Sequence, residues 1–198
     1  MSTSGLITGT PTNAGANTAV VTVTDPSANA VSTKVFWLIT GSSGCTPGTF
    51  GKNRGFESGS ASWSATANVI GQAAGASDPA HAGTWRAKLG GYNAVHTDTL
   101  SQSIPIPSVN CGSVKIRFSA FVNSNETTAV NQNDTLTTKL GATVAGTMSN
   151  LDDVGGYVET VYTVTPTWNS NQTLLFTSVE NSTLMTRFLT DDISVEIP

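Results

Sequence analysis

An all-β sandwich is the fold class this sequence predicts, and three observations carry the expectation. Only 11% of the 198 residues are charged, against about 25% in an ordinary globular chain. The chain holds 31 threonines and 22 serines, a composition rich in small hydroxyls and β-branched carbons that suits exported β-proteins. Short β-branched runs separated by Gly, Asn and Pro turns continue to the C-terminus, and no segment shows a helical period.

Taken in order, residues 18–24 and 31–39 are β-branched runs on either side of Asp25-Pro26-Ser27-Ala28-Asn29, a turn-forming cluster, and they predict a hairpin. Gly41-Ser42-Ser43-Gly44 reads as a flexible linker. The chain therefore divides into an N-terminal segment over 1–40, a linker over 41–44 and a main domain over 45–198. Within the main domain, strands are expected at 62–70, 83–89, 97–104, 113–123, 134–140, 156–165, 171–179 and 186–197. Short strands at that spacing suggest a two-sheet sandwich. Alternation is plainest from Val114 to Ala120, where every second side chain is apolar and one face is buried. Leu174-Leu175-Phe176 and Phe188-Leu189 supply further core positions.

Charge excludes several partners. Nine Lys and Arg against thirteen Asp and Glu give a net charge of −4, so no basic stripe exists to release counterions from nucleic acid. An anionic membrane surface is excluded on the same ground, and no membrane insertion is expected. Met1-Ser2-Thr3-Ser4-Gly5 has neither the charged nor the apolar region of an export signal, so any such signal of a parent protein is expected to lie elsewhere. Cys45 and Cys111 lack the spacing of a zinc site. In an exported protein they read as one disulfide, which by loop-closure entropy contributes about 4 kcal/mol. The alternative is two unrelated buried thiols.

No Ser-His-Asp order, G-x-S-x-G or H-E-x-x-H pattern is present, and His81 and His96 are the only histidines. The chain is therefore expected not to be an enzyme. N-x-S/T sequons at Asn125, Asn133, Asn171 and Asn181 are read as chance matches.

Two resemblances refine this reading. Gly5-Leu6-Ile7-Thr8-Gly9-Thr10-Pro11-Thr12-Asn13-Ala14-Gly15 resembles the G-x-I-x-G-T-P-x-x-A-G stretch of bacterial Ig-like domains strung along surface and secreted proteins. It covers only residues 4–40 and implies roughly the last three of about seven strands. So short a segment rarely folds alone, and it is expected to pack on a partner surface.

The second resemblance covers residues 45–197. Asn53-Arg54-Gly55-Phe56-Glu57 followed by Trp63, with Asp191-Asp192-Ile193 near the end, resembles the N-x-G-F-E…W opening and D-D-V/I closing strands of jelly-roll carbohydrate-binding modules. These have a galactose-binding-like β-sandwich. Between the bookends lie His81-Ala82-Gly83-Thr84-Trp85-Arg86-Ala87, Gly90-Gly91-Tyr92, His96-Thr97-Asp98-Thr99-Leu100-Ser101-Gln102, Asn133-Asp134-Thr135-Leu136 and Thr186-Arg187-Phe188-Leu189-Thr190. These are similar to accessory domains of secreted bacterial peptidases of the kumamolisin (sedolisin) type. The resemblance implies a secreted or cell-surface location and a catalytic domain of the parent protein as a neighbour.

It also implies a structural calcium ion, Ca²⁺, where the first and last strands lie side by side. Its ligands would be the side chains of Glu57 and Asp191 and the carbonyls of Gly55 and Gly83, an all-oxygen set that suits a hard cation. Arg54 departs from the small residue or proline usual in the family. The alternative is that Glu57 and Asp191 merely accept hydrogen bonds from backbone and from Arg54 or Arg187 in solvent-exposed turns.

Sugar binding needs flat aromatic faces with polar groups beside them. Trp85, Tyr92, Tyr157 and Trp168 are candidates; Trp63 is assigned to the core, and Trp85 also fits burial beside Ala87 and Leu89. Lys88 stands where the peptidase-linked relatives often carry an aromatic. His96, Asp98, Glu126, Asp134 and Glu180 lie in motif-like stretches and would form a polar ligand site or a second metal site if their loops converge. Otherwise His96 and Asp98 pair locally while Glu126 and Glu180 are solvated. The function expected is a non-catalytic accessory module that binds carbohydrate or another polymeric substrate and raises its effective concentration for a secreted bacterial enzyme. The alternative is a structural or adhesive module of a surface or filament protein, self-associating through strand edges of the Ig-like segment.

Overall fold

The computed structural model describes residues 15–39, 45, 47–107, 111–181 and 184–197. Residues 5–14 of the Ig-like stretch and the 41–44 linker lie outside the described residues. The chain separates into two compact units, Met1–Gly44 and Cys45–Pro198.

In the first unit, β1 (Gly15–Thr24) and β2 (Ala30–Ile39) form an antiparallel ribbon, paired from Gly15 with Ile39 to Thr24 with Ala30. Its turn is closed by Asp25, whose carboxylate accepts the Ser27 and Asn29 backbone N–H groups at 2.8 and 2.9 Å. Ala28 takes the left-handed φ of 67° that such a turn requires. Val20, Val23, Val31 and Phe36 are exposed on the ribbon.

The second unit is an all-β sandwich. Its strands are β3 (Gly48–Phe50), β4 (Ser64–Ala65), β5 (Ile70–Gln72), β6 (Trp85–Gly90), β7 (His96–Ile106), β8 (Val114–Ser124), β9 (Thr135–Leu140), β10 (Thr143–Ser149), β11 (Val158–Val164), β12 (Ser170–Glu180) and β13 (Thr186–Ile197). One sheet runs in the order β10-β9-β12-β7-β4. The other runs β11-β8-β13-β6-β5, with β3 paired to the far end of β13. A single 3₁₀ turn over Asn150–Asp152 is the one helical element among the described residues. No helix among them is long and apolar enough to cross a membrane.

Alternation decides which side chains enter the core. Along β7 and β12 every second residue is buried, so Leu100, Ile104, Leu174 and Phe176 meet Ile116, Phe118, Phe188 and Val195 of the opposite sheet in one apolar cluster. Phe118 and Phe176 pack edge to face with centroids 5.2 Å apart. Cys45 and Cys111 are joined by a disulfide, which ties the residues before β3 to the β7–β8 connection.

The structure corrects three expectations about strands. The stretch 62–70 is not one strand: a turn closed by Val69 N–H to the Thr66 carbonyl, with Asn68 at φ 67°, sends β4 and β5 into opposite sheets. Strand β10 escapes the sequence pattern because Gly146 reads as a turn; the register shifts there, and a Cβ at that position would overlap the Tyr162 ring. Strand β3 has only three residues, too few to show a period.

Candidate functional site

The closing motif sits on an irregularity. Pairing of β13 with β8 shifts register between Asp191 and Ser194, and Asp192 takes φ 51°. Such a bulge re-aims side chains that regular pleating would alternate. The opening motif is zipped onto it by the Ile193 N–H, which donates to the Arg54 carbonyl at 3.0 Å. Phe56 and Trp63 anchor that segment in the core, their rings 5.2 Å apart. The Trp63 indole donates to the Asn53 carbonyl at 3.0 Å.

From these two anchors Glu57 and Asp191 grip the same turn. Glu57 Oε1 accepts the Thr84 and Trp85 N–H groups, each at 2.9 Å, and its Oε2 accepts the Thr84 hydroxyl at 3.1 Å. Asp191 Oδ2 accepts the N–H groups of His81 and Ala82 at 2.9 and 3.1 Å, while Oδ1 accepts that of Asp192 at 2.8 Å. Gly83, at φ 66°, lies so close that any Cβ would overlap the Glu57 carboxylate. At Gly55 a Cβ would stand 3.5 Å from both Asp191 Oδ1 and Asp192 Oδ1, so two acidic oxygens flank one bare backbone position.

Electrostatics separate the two carboxylates. Burial pushes the Asp191 carboxyl up and the neighbouring Asp192 charge adds to this, against the pull of its N–H donors. Exposed Glu57 is held below its ordinary value by the Trp85 and Thr84 N–H groups. His81 Nδ1 lies 2.6 Å from Asp192 Oδ2 and 3.2 Å from Ser119 Oγ. Its ring meets Tyr157 edge-on at 5.1 Å, and the Tyr157 hydroxyl donates to the Pro79 carbonyl. Among the described residues, no three His, Cys, Asp or Glu side chains are grouped to hold a metal by themselves.

A second polar cluster closes one end of the sandwich. His96 and Glu180 are directly opposed in the β7–β12 register, and Asp98 faces Ser178. Asp98 and Glu180 are both buried. Asp98 accepts the Gly90 N–H at 2.9 Å and meets His96 Nε2 at 3.0 Å. Glu180 accepts the Tyr92 N–H at 2.9 and 3.1 Å and the Asn93 N–H at 3.2 Å. The loop so held carries left-handed φ values at Gly90, Gly91 and Asn93. It presents Tyr92, which is 43% exposed and stacked on His96 with centroids 3.8 Å apart. Burial raises the Tyr92 phenol, and the Asp98 and Glu180 charges add to this.

Asp134, also buried, accepts the Asn181 N–H at 2.8 Å and the Thr186 hydroxyl at 2.6 Å. Thr186 contacts Ser124, whose hydroxyl accepts the Glu126 N–H. The Glu126 carboxylate instead takes Asn133 and Leu184, away from the Tyr92 loop. The idea that Glu126 and Glu180 are solvated is thus corrected: Glu180 is fully buried because its oxygens are needed by loop N–H groups, and Glu126 is partly buried.

Of the aromatic candidates, Trp85 is half-buried over Gly59, beside the Glu57 turn rather than near Tyr92. Trp168 and Tyr157 are also half-buried. Lys88 pairs with buried Asp78 at 3.3 Å, and Asp78 also binds Arg86. Sequence reasoning assigned no role to Asp192 or Asn93; Arg54 and Arg187 were alternative donors to Glu57 and Asp191 in exposed turns, but both carboxylates take backbone N–H groups and Asp191 is buried. The repeated acid of Asp191-Asp192 and the Gly90-Gly91-Tyr92-Asn93 turn signal were the available cues.

No family model and no curated protein matches the chain. Solved structures do resemble it. TmCBM61, in complex with β-1,4-galactotriose, is 18% identical, with 73% of this chain and 94% of that one covered at a TM-score of 0.45. A cyclase from Fischerella sp. TAU, in complex with 4-(1H-indol-3-yl)butan-2-one, is 12% identical, covering 73% and 93%, at 0.50. The K3 cleaved adhesin domain of Lys-gingipain from Porphyromonas gingivalis w83 is 13% identical, covering 75% and 99%, at 0.49. The likeness, at 18% identity or less, is one of fold alone.

Proposed function

We propose that the sandwich is a non-catalytic carbohydrate-binding accessory module of a secreted bacterial enzyme, stabilised by a structural calcium ion. The observation that carries the reading is the Tyr92 loop. Left-handed backbone at three positions, two of them glycines that adopt it readily, and two buried carboxylates are committed to holding one exposed ring. An aromatic face with amide and charged groups beside it suits a pyranose.

For the ion, the donor chemistry fits. Buried Asp191 has no Lys or Arg partner among the described residues. Glu57, Asp191 and the carbonyls of Gly55 and Gly83 would hold it, and backbone oxygens are ordinary ligands for calcium. Its part would be to fasten the two bookend motifs together. A hydrolytic reading is disfavoured by the His81 geometry: Ser119 and Asp192 share one ring nitrogen, whereas a proton relay needs them on opposite nitrogens.

Polysaccharide pull-down and a glycan array test the binding: saturable retention that falls at least tenfold in Tyr92→Ala is expected, and retention unchanged in that variant would refute the loop's role. The exposed valines of the β1–β2 ribbon favour a second reading, a structural or adhesive module. Concentration-dependent assembly without glycan, measured by sedimentation, would support it.

A further inference from the structure

The arrangement of exposed rings says how much of a glycan this module holds. Tyr92 is the one exposed aromatic side chain among the described residues of the sandwich. A module that grips the interior of a polysaccharide needs several platforms in line, because each stacked sugar adds its own increment. The broad outer face of the β10-β9-β12-β7-β4 sheet offers no ring. Its outward positions are Thr97, Thr99, Ser101 and Ser103 on β7 and Thr173, Leu175, Thr177 and Val179 on β12. The platform instead stands on an end loop.

Beside that platform lies a cation. Arg187, outward-facing on β13, is paired in register with Gly90 and Asn123. Its side chain crosses Gly91, where a Cβ would come within 2.8 Å of Arg187 Cγ and 3.3 Å of Nε. Gly91 at φ 92° therefore serves two ends, the turn itself and room for the arginine. Adjacent Cα atoms are about 3.8 Å apart, so the Arg187 side chain runs beside the residue that precedes Tyr92. Among the described residues the guanidinium has no carboxylate or carbonyl partner, unlike those of Arg86 and Arg117. Its planar fork is free to bond neighbouring hydroxyls. Asn93, the next residue, has its backbone held by Glu180 and is exposed.

Resting on the carbohydrate reading above, we infer that the Tyr92 loop binds a single chain-terminal sugar residue. The ring stacks on Tyr92, and Arg187 and Asn93 bond its hydroxyls. The remainder of the glycan projects into solvent and contributes little.

Isothermal titration of the full chain tests this with β-1,4-galacto-, xylo- and cello-oligosaccharides of one to six units. For a series that binds, affinity per chain end should level off by the disaccharide, within threefold of the hexasaccharide. Arg187→Ala should weaken it at least tenfold, with partial recovery in Arg187→Lys. Unchanged melting curves would show that the variants fold. Affinity that climbs tenfold or more from disaccharide to hexasaccharide would overturn the terminal-residue inference and leave carbohydrate binding standing. Undiminished affinity in Arg187→Ala would also overturn it. Binding to none of these series, nor to any polysaccharide on the array, would overturn the carbohydrate reading itself.

Discussion

The turn over residues 81–85 and the loop over 90–93 are fastened alike, by carboxylates that accept backbone N–H groups, yet their surroundings differ. At the first, Asp191 and Asp192 bring two acidic oxygens to one bare backbone position at Gly55, and burial displaces the Asp191 carboxyl upward. At the second, His96 sits on Asp98 and the Tyr92 ring lies over His96. Like charges crowded against an uncovered backbone leave a cation-sized need, whereas the second cluster is already covered by its own imidazole and ring. Under the proposed function, the same device serves as an ion seat in one place and a display loop in the other.

The largest expected effect treats both regions alike. Each lies between Cys45 and Cys111, so opening the disulfide loosens both. Chain entropy puts the loss at about 4 kcal/mol, read as a lower denaturant midpoint in Cys45→Ser/Cys111→Ser. A loss below about 1 kcal/mol would mean that neither turn depends on that closure. Next, Glu180→Ala should cost about 3 kcal/mol, because a buried acceptor of two loop N–H groups is removed. Glu57→Ala, at an exposed site, should cost clearly less. Equal losses would break the distinction between a buried and a surface fastening.

Calcium separates the regions. At a hundredfold excess over its dissociation constant the ion adds about 2.7 kcal/mol, which raises the melting temperature by about 5–10 °C in a domain of this size. The rise should vanish in Glu57→Ala and in Asp191→Ala but persist in Tyr92→Ala. A melting curve indifferent to calcium and EDTA would remove the ion seat from the comparison.

How much of this could be read from sequence follows from how local each signal is. Strands β7 and β12 bury every second residue and the first half of β8 alternates likewise, whereas β13 is buried almost throughout; the hairpin over 15–39 shows in its Asp25–Asn29 turn. The split at Thr66–Val69 was hidden, because a left-handed Asn68 in a β-branched context leaves no mark on composition. Site residues divide the same way. Asp98 and Glu180 stand out as sparse charges in motif-like stretches, but only the β7–β12 register, which sets Glu180 opposite His96, shows that they serve one loop. Arg187 looked like any surface cation until Gly91 was found beneath it.

The smallest effect is a difference of sign with pH. Glu57 is held below its ordinary 4.5 by N–H donors, so its contribution is complete above that pH and is lost as the pH falls through the lower folded value. Asp191 is displaced upward from 3.8; its ionised form costs stability above the folded value, and the cost is relieved as the pH falls through that value towards 3.8. With calcium chelated, acidification from neutral pH towards the ordinary carboxylate range should therefore raise the melting temperature, and Asp191→Asn should abolish the rise. Further acidification should bring a fall to which Glu57→Gln contributes less than the parent does. Saturating calcium should reverse the first limb, since the ion favours the ionised Asp191. If the chelated chain shows no rise, the Asp191 carboxylate is not the disfavoured charge that distinguishes its turn from the Tyr92 loop.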